Sequence, residues 1–275
     1  MPGSTDELAQ ILSKVEKGKT QELSRKLAWK FTNPDEPHML KDAISSKRPI
    51  YPSRCNGKNR FDGSVIAVEF DPSMVGYWSF DDPITGTIAY DAIQANRNNG
   101  TITGATFVSS KYNTGLSFAG SGSGNRVEFP NLGISSGSFT IEVWVNPARD
   151  ESDGYGSIVG YDETHRILLA INGTLLTQFG GNYFSNGLVT ANVWSHIVYV
   201  YDFSTNLETF YINGVPETSH TPSVTPIWNA IFWAGAYIVP SVSYHYHGKL
   251  DELRIYNSAL SPVRIGQHAR DLRFP

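Results

Sequence analysis

The chain has 275 residues and a mass of 30.4 kDa, which suits one large β-sandwich with an appendage or two modest domains. Its hydrophobic fraction of 40% is sufficient for a buried core, whereas only 17% of the residues are charged and Gly and aromatic residues are abundant. This composition favours strands and turns over a helical bundle or coiled coil. The net charge of −4 indicates no particular partner, and the single cysteine, Cys55, excludes an internal disulfide framework.

The beginning of the chain has no features of an export signal. Residues 1–30 are polar and charged, and they lack the apolar run of about 7–15 residues that a secretory signal needs. The longest apolar run, 227–239, is interrupted by Asn229 and is too short to cross a bilayer. We therefore expect a protein that is made in the cytoplasm without a signal peptide and has no membrane span.

The first 75 residues differ in composition from the rest. Residues 1–76 contain 12 basic and 10 acidic residues, a net charge of +2, whereas the remainder contains 10 and 16, a net charge of −6. Only five of the 34 aromatic residues fall in the first segment, so it cannot form its own core. We predict an N-terminal arm over 1–75, with a helix over about 5–31 and then an extended segment.

The predicted helix of the arm has an apolar stripe. Ser4 and Glu7 form a capping box, and Asn33-Pro34 ends the pattern. The stripe follows helical spacing and consists of Leu8, Ile11, Leu12, Val15, Leu23 and Leu27. It packs either on the chain's own domain or on a partner chain. The extended segment mixes a few basic residues with aromatic and acidic ones, which argues against nucleic acid as a partner.

From residue 77 onwards the pattern is that of an all-β protein. Short alternating runs are separated by turn signals, and Asn172-Gly173 and Asn213-Gly214 are the strongest hairpin turns. The predicted strands are 77–81, 115–119, 126–129, 138–146, 156–161, 166–171, 174–179, 193–201, 207–213, 230–237 and 243–256. About eleven strands at this spacing predict a two-sheet antiparallel sandwich, with a helix only at 261–270.

The alternation also predicts which residues face the core. Phe139, Ile141, Val143 and Val145 share one face of their strand, and Glu142 and Trp144 share the other. The run 193–201 has bulky residues on both faces, so we expect a central strand that is covered on both sides. The predicted core includes Trp78, Phe80, Leu116, Phe118, Val143, Val198 and Ile212.

Six blocks in this order resemble one known family. They are 76–81 (GYWSFD), 116–120 (LSFAG), 139–145 (FTIEVWV), 194–197 (WSHI), 210–214 (FYING) and 248–261 (GKLDELRIYNSALS). Together they resemble the laminin-G-like, concanavalin A-like lectin/glucanase jelly roll over residues 76–270. The resemblance implies an all-β, two-sheet antiparallel jelly-roll sandwich over 76–275 behind the N-terminal arm. Members of this superfamily bind glycans or proteins, extend larger enzymes or decorate surfaces, and some are glycosidases.

The residues that a glycosidase needs are not apparent. Such an enzyme places two carboxylates on opposite sides of one bond, and the glucanase-like relatives carry a Glu-x-Asp-x-Glu arrangement that this sequence lacks. Glu142 stands alone between Ile141 and Val143, and Asp251-Glu252 are adjacent residues that would point to opposite faces of a strand. We therefore expect no catalytic residues and no enzyme activity.

The resemblance implies a structural Ca²⁺ between the loop after the first strand and the late Asp-Glu strand. Calcium prefers six to eight oxygen ligands. The candidate ligands are Asp81, Asp91, Asn98 and Asp251. The alternative is that these residues only form turns.

Glycan binding would use exposed aromatic rings near polar loops. The candidates are Trp228, Trp233, Tyr183, Phe184 and Tyr237, with Tyr155 nearby. The alternative for each of them is a place in the core.

Two functions remain in view. The first is a non-catalytic structural or attachment protein of a larger assembly, a phage-type virion component such as a decoration, tail or fibre protein. The arm would bind other protein chains of the particle, and we expect the protein to be an oligomer. The sandwich would be displayed on the virion or extracellular surface, where a cell-surface glycan is the second expected partner. The alternative is a free-standing carbohydrate-binding lectin or glycosidase of the same fold.

Overall fold

A computed structural model of the protein describes residues 60–61, 64–65, 71–81, 86–93, 98–120, 122–148, 154–179, 181–236 and 244–270. The chain divides into two compact units, Met1–Glu69 and Phe70–Pro275. In the first unit, strands β1 (Arg60–Phe61) and β2 (Ser64–Val65) form a short antiparallel hairpin. The predicted arm helix, its six anchor residues and Cys55 lie outside the described residues, so those predictions stay open.

The second unit consists of two antiparallel sheets. Sheet I has the order β16-β15-β14-β9-β18-β7-β6, and β3 also pairs with β18. Its strands are β3 (Met74–Trp78), β6 (Thr106–Ser109), β7 (Thr114–Ala119), β9 (Phe139–Pro147), β14 (Ser195–Asp202), β15 (Leu207–Ile212), β16 (Val215–Pro216) and β18 (His247–Tyr256).

Sheet II has the order β13-β12-β11-β10-β17-β8-β5-β4. Its strands are β4 (Ile88–Ala89), β5 (Gly100–Thr103), β8 (Arg126–Phe129), β10 (Tyr155–Asp162), β11 (His165–Ala170), β12 (Thr174–Thr177), β13 (Tyr183–Leu188) and β17 (Phe232–Ala234). The two-sheet antiparallel jelly-roll sandwich predicted from the sequence is confirmed.

The core lies between the sheets and has the predicted composition. Phe139, Ile141, Val143 and Val145 of β9 all belong to it. All seven predicted core residues are buried, but Val198 is on the outer face of sheet I, where it pairs with Glu142. The prediction that strand 193–201 is covered on both faces is confirmed, because every residue from Ser195 to Tyr201 is buried.

The only helix in the described residues is α1 (Pro262–Ala269), where the sequence predicted one. Ser261 is its N-cap, and its hydroxyl accepts a hydrogen bond from the backbone N–H of Arg264 at 3.3 Å. Pro at the first position suits the start of a helix because its missing N–H has no partner there. No helix in this part of the chain has the length and apolar character needed to cross a membrane.

Candidate functional site

A row of residues crosses the outer face of sheet II from one strand to the next. Directly paired residues on neighbouring antiparallel strands point to the same face. The registers pair Thr101 with Glu128, Glu128 with Trp233, and Trp233 with Gly160. Their chain neighbours point into the core, as the full burial of Val127 and Phe232 shows. The row therefore lies on the outer face of sheet II, although Trp233 is partly buried and packs against the core.

Trp233 is the aromatic member of this row. Its side chain is half-buried, and its indole Nε1–H donates a hydrogen bond to Glu128 Oε2 at 3.0 Å. On the other side, Gly160 carries no side chain, and a Cβ there would lie only 2.4 Å from the Cβ of Arg166. No side chain of β10 therefore stands directly beside the indole, whose orientation is fixed from the β8 side.

The residues around Trp233 are polar and exposed. Glu128 is exposed, and Arg126 lies two residues earlier on the same strand and therefore on the same face. Thr101 and Thr103 of β5 are also exposed and pair with these two residues. Arg126 Nη1 donates to the backbone carbonyl of Gly124 at 3.0 Å. We define the Trp233 face by its residues Thr101, Thr103, Arg126, Glu128 and Trp233.

A second polar cluster continues the row from Arg166 on β11 to Gln178, the residue after β12. Arg166 is only 6% exposed; its Nε donates to Gln178 Oε1 at 2.5 Å, and its guanidinium lies 4.4 Å from the ring centre of Tyr244. Gln178 in turn donates to Asn182 Oδ1 at 3.0 Å. The guanidinium of Arg166 is thus engaged by Gln178 and Tyr244. The exposed polar groups around Trp233 lie instead on β5 and β8.

The other aromatic residues predicted to bind glycan lie in different places. Trp228 is fully buried in the core, so it presents no ring face to solvent. Tyr183 is also buried, between Phe210 and His220, and its hydroxyl donates to the carbonyl of Thr218. Phe184 is 47% exposed on edge strand β13.

Tyr155 and Tyr237 complete that set of candidates. Tyr155 is half-buried, with its ring centre 6.4 Å from that of Tyr244. Tyr237 lies outside the described residues. Among the described candidates, Phe184 is exposed and Trp233 and Tyr155 are half-buried, and Trp233 has a charged hydrogen-bond partner.

Two of the predicted calcium ligands hold a loop against β3. Asp91 Oδ1 accepts the backbone N–H groups of Tyr77 and Ile93 at 3.1 and 2.9 Å, and Oδ2 accepts that of Asn98 at 3.1 Å. Burial raises the pKa of Asp91, and these backbone hydrogen bonds oppose the increase. Asn98 donates its amide to the carbonyl of Val75 at 3.1 Å. Asp91 and Asn98 thus have a structural role in this loop.

The other two predicted ligands, Asp81 and Asp251, contact the same hairpin between β6 and β7. Asp81 Oδ1 accepts the N–H of Thr114 at 3.2 Å, and Asp251 Oδ2 accepts that of Tyr112 at 2.8 Å. The described residues contain no cluster of three or more His, Cys, Asp or Glu side chains suited to a metal. A Ca²⁺ ion here would therefore need carbonyl oxygens in addition to Asp81 and Asp251, a donor set that calcium accepts. Calcium binding stays a prediction.

Glu142 is fully buried on the outer face of sheet I. Its Oε1 accepts from Arg254 Nη1 at 2.6 Å, and its Oε2 lies 2.7 Å from His268 Nδ1 of helix α1. His196 Nε2 lies 3.5 Å from Oε1. Burial alone would raise the pKa of Glu142, but the charges of His268 and Arg254 and the hydrogen bond with His268 hold it well below its ordinary value.

Glu208 is the second fully buried glutamate and has its own partners. Its Oε1 lies 2.8 Å from His220 Nδ1, and its Oε2 accepts from the hydroxyls of Tyr199 and Thr177 at 2.9 and 3.1 Å. Burial raises its pKa. Glu142 and Glu208 are thus enclosed by separate sets of hydrogen-bond partners, and neither reaches the surface where a sugar could bind.

Sequence reasoning identified Trp233 but missed Glu128 and Arg126. The alternation Arg126-Val127-Glu128-Phe129 already placed both charged residues on one face of a strand. Their position beside Trp233 depends on the pairing of β8 with β17, which joins residues 105 positions apart. A local pattern carries no information about that pairing.

Comparison with known proteins agrees with this architecture. Residues 121–266 match the model of the concanavalin A-like lectin/glucanases superfamily. Among solved structures, the chain is similar to domain 4 of a GH43 extracellular arabinanase from Geobacillus stearothermophilus in complex with arabinotriose. The two are 25% identical, the match covers 72% of this chain and 98% of that one, and the TM-score is 0.56.

Two more distant structures share the fold alone. The binding domain of Paraclostridial Mosquitocidal Protein 1 is 16% identical, with a TM-score of 0.57 and coverage of 73% of this chain and 52% of that one. Trypanosoma rangeli sialidase is 16% identical, with a TM-score of 0.55 and coverage of 92% and 39%. The chain thus spans about half or less of these two proteins. No curated protein sequence matches it significantly.

Proposed function

The chain belongs to the concanavalin A-like lectin/glucanases superfamily, and we propose that it acts there as a non-catalytic protein that binds carbohydrate through the Trp233 face. The observation that carries this proposal is the hydrogen bond between the half-buried indole of Trp233 and the exposed Glu128 on the outer face of sheet II. Sugars bind proteins by laying their C–H faces on an aromatic ring while their hydroxyls bond to polar side chains nearby. The Trp233 face offers both kinds of contact.

The similar arabinanase domain supports a sugar as the ligand. That domain was solved with arabinotriose, and the match spans nearly its whole length. Because a fold does not determine a function, this similarity supports the proposal only together with the ring and the polar groups on this chain's own surface.

The positions of the carboxylates support binding without catalysis. A glycosidase needs two carboxyl groups about 5–9 Å apart on either side of a sugar bond. Glu142 and Glu208 are fully buried, and each is held by its own partners. On the Trp233 face, Glu128 is the carboxylate that the described residues provide. This arrangement suits hydrogen bonding to a sugar rather than cleavage of its bond.

The test is to measure arabinotriose and a panel of neutral oligosaccharides by titration calorimetry against the intact chain and Trp233→Ala. Truncation of a central aromatic anchor costs about 2 kcal/mol or more, so we expect binding to weaken by about 30-fold or more. Phe203→Ala is the matched control, because Phe203 is a 56% exposed aromatic residue in the turn after β14 of the other sheet. Its binding should equal that of the unmodified protein.

Three results would contradict the proposal. If the folded, unmodified chain binds none of the glycans tested, the proposed carbohydrate binding is rejected. Unchanged binding by Trp233→Ala together with loss in Phe184→Ala would instead move the site to edge strand β13. Cleavage of an oligosaccharide by the purified chain would contradict the non-catalytic assignment.

Attachment to a larger particle remains a separate prediction. It depends on the anchor residues within 1–75, which lie outside the described residues. The predicted display on a virion or extracellular surface, and the predicted oligomer, depend on the same segment. Carbohydrate binding by the sandwich is compatible with attachment and can be measured without it.

A further inference from the structure

We propose that Glu128 makes the Trp233 face selective for neutral glycans over acidic ones, an inference that rests on the proposed carbohydrate binding. The inference concerns which sugars can occupy the surface. It follows from the charge that the structure places beside the indole of Trp233 and from the positions of the nearest cations.

Glu128 stands directly beside the ring that a sugar would cover. Its Oε2 accepts the indole N–H of Trp233, which fixes the carboxylate at the edge of the ring. Within the part of the chain that the structure describes, no hydrogen bond or ion pair engages the second oxygen, Oε1. A sugar on the indole can therefore donate a hydroxyl to Oε1, whereas a second carboxylate would meet a like charge.

The cation nearest along the strand is turned away. Arg126 lies on the same face, but its guanidinium bonds to the carbonyl of Gly124, on the side of Arg126 opposite to Glu128. Within the described residues, Glu128 and Arg126 form no ion pair with each other or with another group.

The cation nearest across the sheet is also distant. Arg166 lies three strands from Glu128 in the order β8-β17-β10-β11, a separation of about 14 Å. Its guanidinium is engaged by Gln178 and by the ring of Tyr244. Within the described residues, neither cation forms an ion pair with Glu128, so the carboxylate stands at the edge of the indole without a salt-bridge partner.

The size of the effect follows from the charge separation. Two like charges about 5 Å apart in water repel enough to weaken binding about fourfold, and the lower effective dielectric at a protein surface increases this ratio. A uronate-containing chain should therefore bind at least about fourfold more weakly than a neutral chain of the same length and linkage. The ratio should fall as salt is added, because the interaction is screened.

The experiment compares the intact chain with Glu128→Gln on α-1,4-linked galactotriose and trigalacturonate, and on an array of neutral and uronate-containing oligosaccharides. The two trisaccharides differ only by a carboxylate in place of a hydroxymethyl group on each unit. The glutamine keeps an oxygen that can accept the indole N–H but removes the negative charge, so the quantity compared between the two proteins is the ratio of the affinities for neutral and acidic chains. The preference for neutral chains should disappear.

Arg126→Gln is the matched control with the opposite sign. It removes a positive charge two residues away on the same strand, so it should leave the preference for neutral chains unchanged or increase it. The inference is overturned if the unmodified chain binds acidic members as tightly as neutral ones, or if Glu128→Gln keeps the original preference. Failure of the folded chain to bind any member of either class would instead reject the proposed function.

Discussion

Replacement of Glu142 by Gln should strongly destabilise the sandwich. Glu142 is fully buried, and its carboxylate holds Arg254 of β18 at 2.6 Å and His268 of helix α1 at 2.7 Å. Removal of one partner from a buried ion pair costs about 3–5 kcal/mol, because the remaining charge stays buried without compensation. Arg254 keeps its second partner, Glu252 at 2.6 Å, so the lower half of this range is expected.

The assay is urea unfolding followed by tryptophan fluorescence, with thermal melting as a second measurement. For a domain of this size, 1 kcal/mol corresponds to about 2–4 °C, so a loss of about 3–4 kcal/mol in Glu142→Gln should lower the melting temperature by about 6–16 °C. The control is Glu163→Gln, an exposed glutamate in the turn after β10, which should change stability by less than about 0.5 kcal/mol. A loss below about 1 kcal/mol in Glu142→Gln would refute the assigned role of the network.

The same residue predicts how stability depends on pH. The pKa of Glu142 lies well below its ordinary value of 4.5, so its stabilising contribution is complete above about pH 4.5 and is lost as the pH falls towards the folded-state pKa. Burial also lowers the pKa of His196 from its ordinary value of 6.5. Below about pH 6.5 this histidine is protonated in the unfolded chain but stays neutral in the folded one, so the unfolded state is favoured and stability falls. In Glu142→Gln, the slope below pH 4.5 should therefore become shallower. An identical slope in both proteins would contradict this assignment.

Two further predictions concern the core and the metal. Phe118→Ala should lower the free energy of unfolding by about 3–5 kcal/mol, because Phe118 is 1% exposed and packs edge-on against Tyr246 with 6.1 Å between ring centres. The exposed Phe203→Ala is the control, and an equally small loss of stability in Phe118→Ala would contradict the place of Phe118 in the core. A stabilising Ca²⁺ near Asp81 should raise the melting temperature by several degrees between chelator and millimolar calcium, since saturation to 100 times the dissociation constant contributes about 2.7 kcal/mol. Asp81→Asn should abolish this shift in melting temperature. Identical melting curves for the unmodified protein with chelator and with calcium would contradict the predicted calcium site.

Most of the strands could be predicted because their signal is local. Each of the eleven predicted runs overlaps a strand of the sandwich, since alternating side chains and turn residues determine both the face and the ends of a strand. Three of the five strands that were not predicted carry weak signals. Two of them, β4 and β16, have two residues each, and β13 includes Ser185, Asn186 and Gly187, which have low strand propensity.

Side-chain roles were harder to predict because they depend on contacts between distant parts of the chain. The sequence showed Glu142 as a solitary carboxylate in an apolar strand, but its partners Arg254 and His268 follow 112 and 126 residues later. Trp228 and Trp233 have similar local surroundings, yet the first is fully buried in the core and the second is half-buried on the outer face of sheet II. Alternation predicts that neighbouring residues differ in exposure, and it does not identify which face the opposite sheet will cover.

The Trp233 face shows how strand order creates a surface that no segment specifies. Its residues come from β5, β8 and β17, which are distant along the chain but adjacent in sheet II. A shift of β17 by one residue against β8 would turn Trp233 towards the core and bring Phe232 to the surface. The apolar residues that fix this register, Phe129 and Phe232, stack in the core with ring centres 4.8 Å apart. The position of Trp233 beside Glu128 is therefore a consequence of core packing on the opposite side of the same strands.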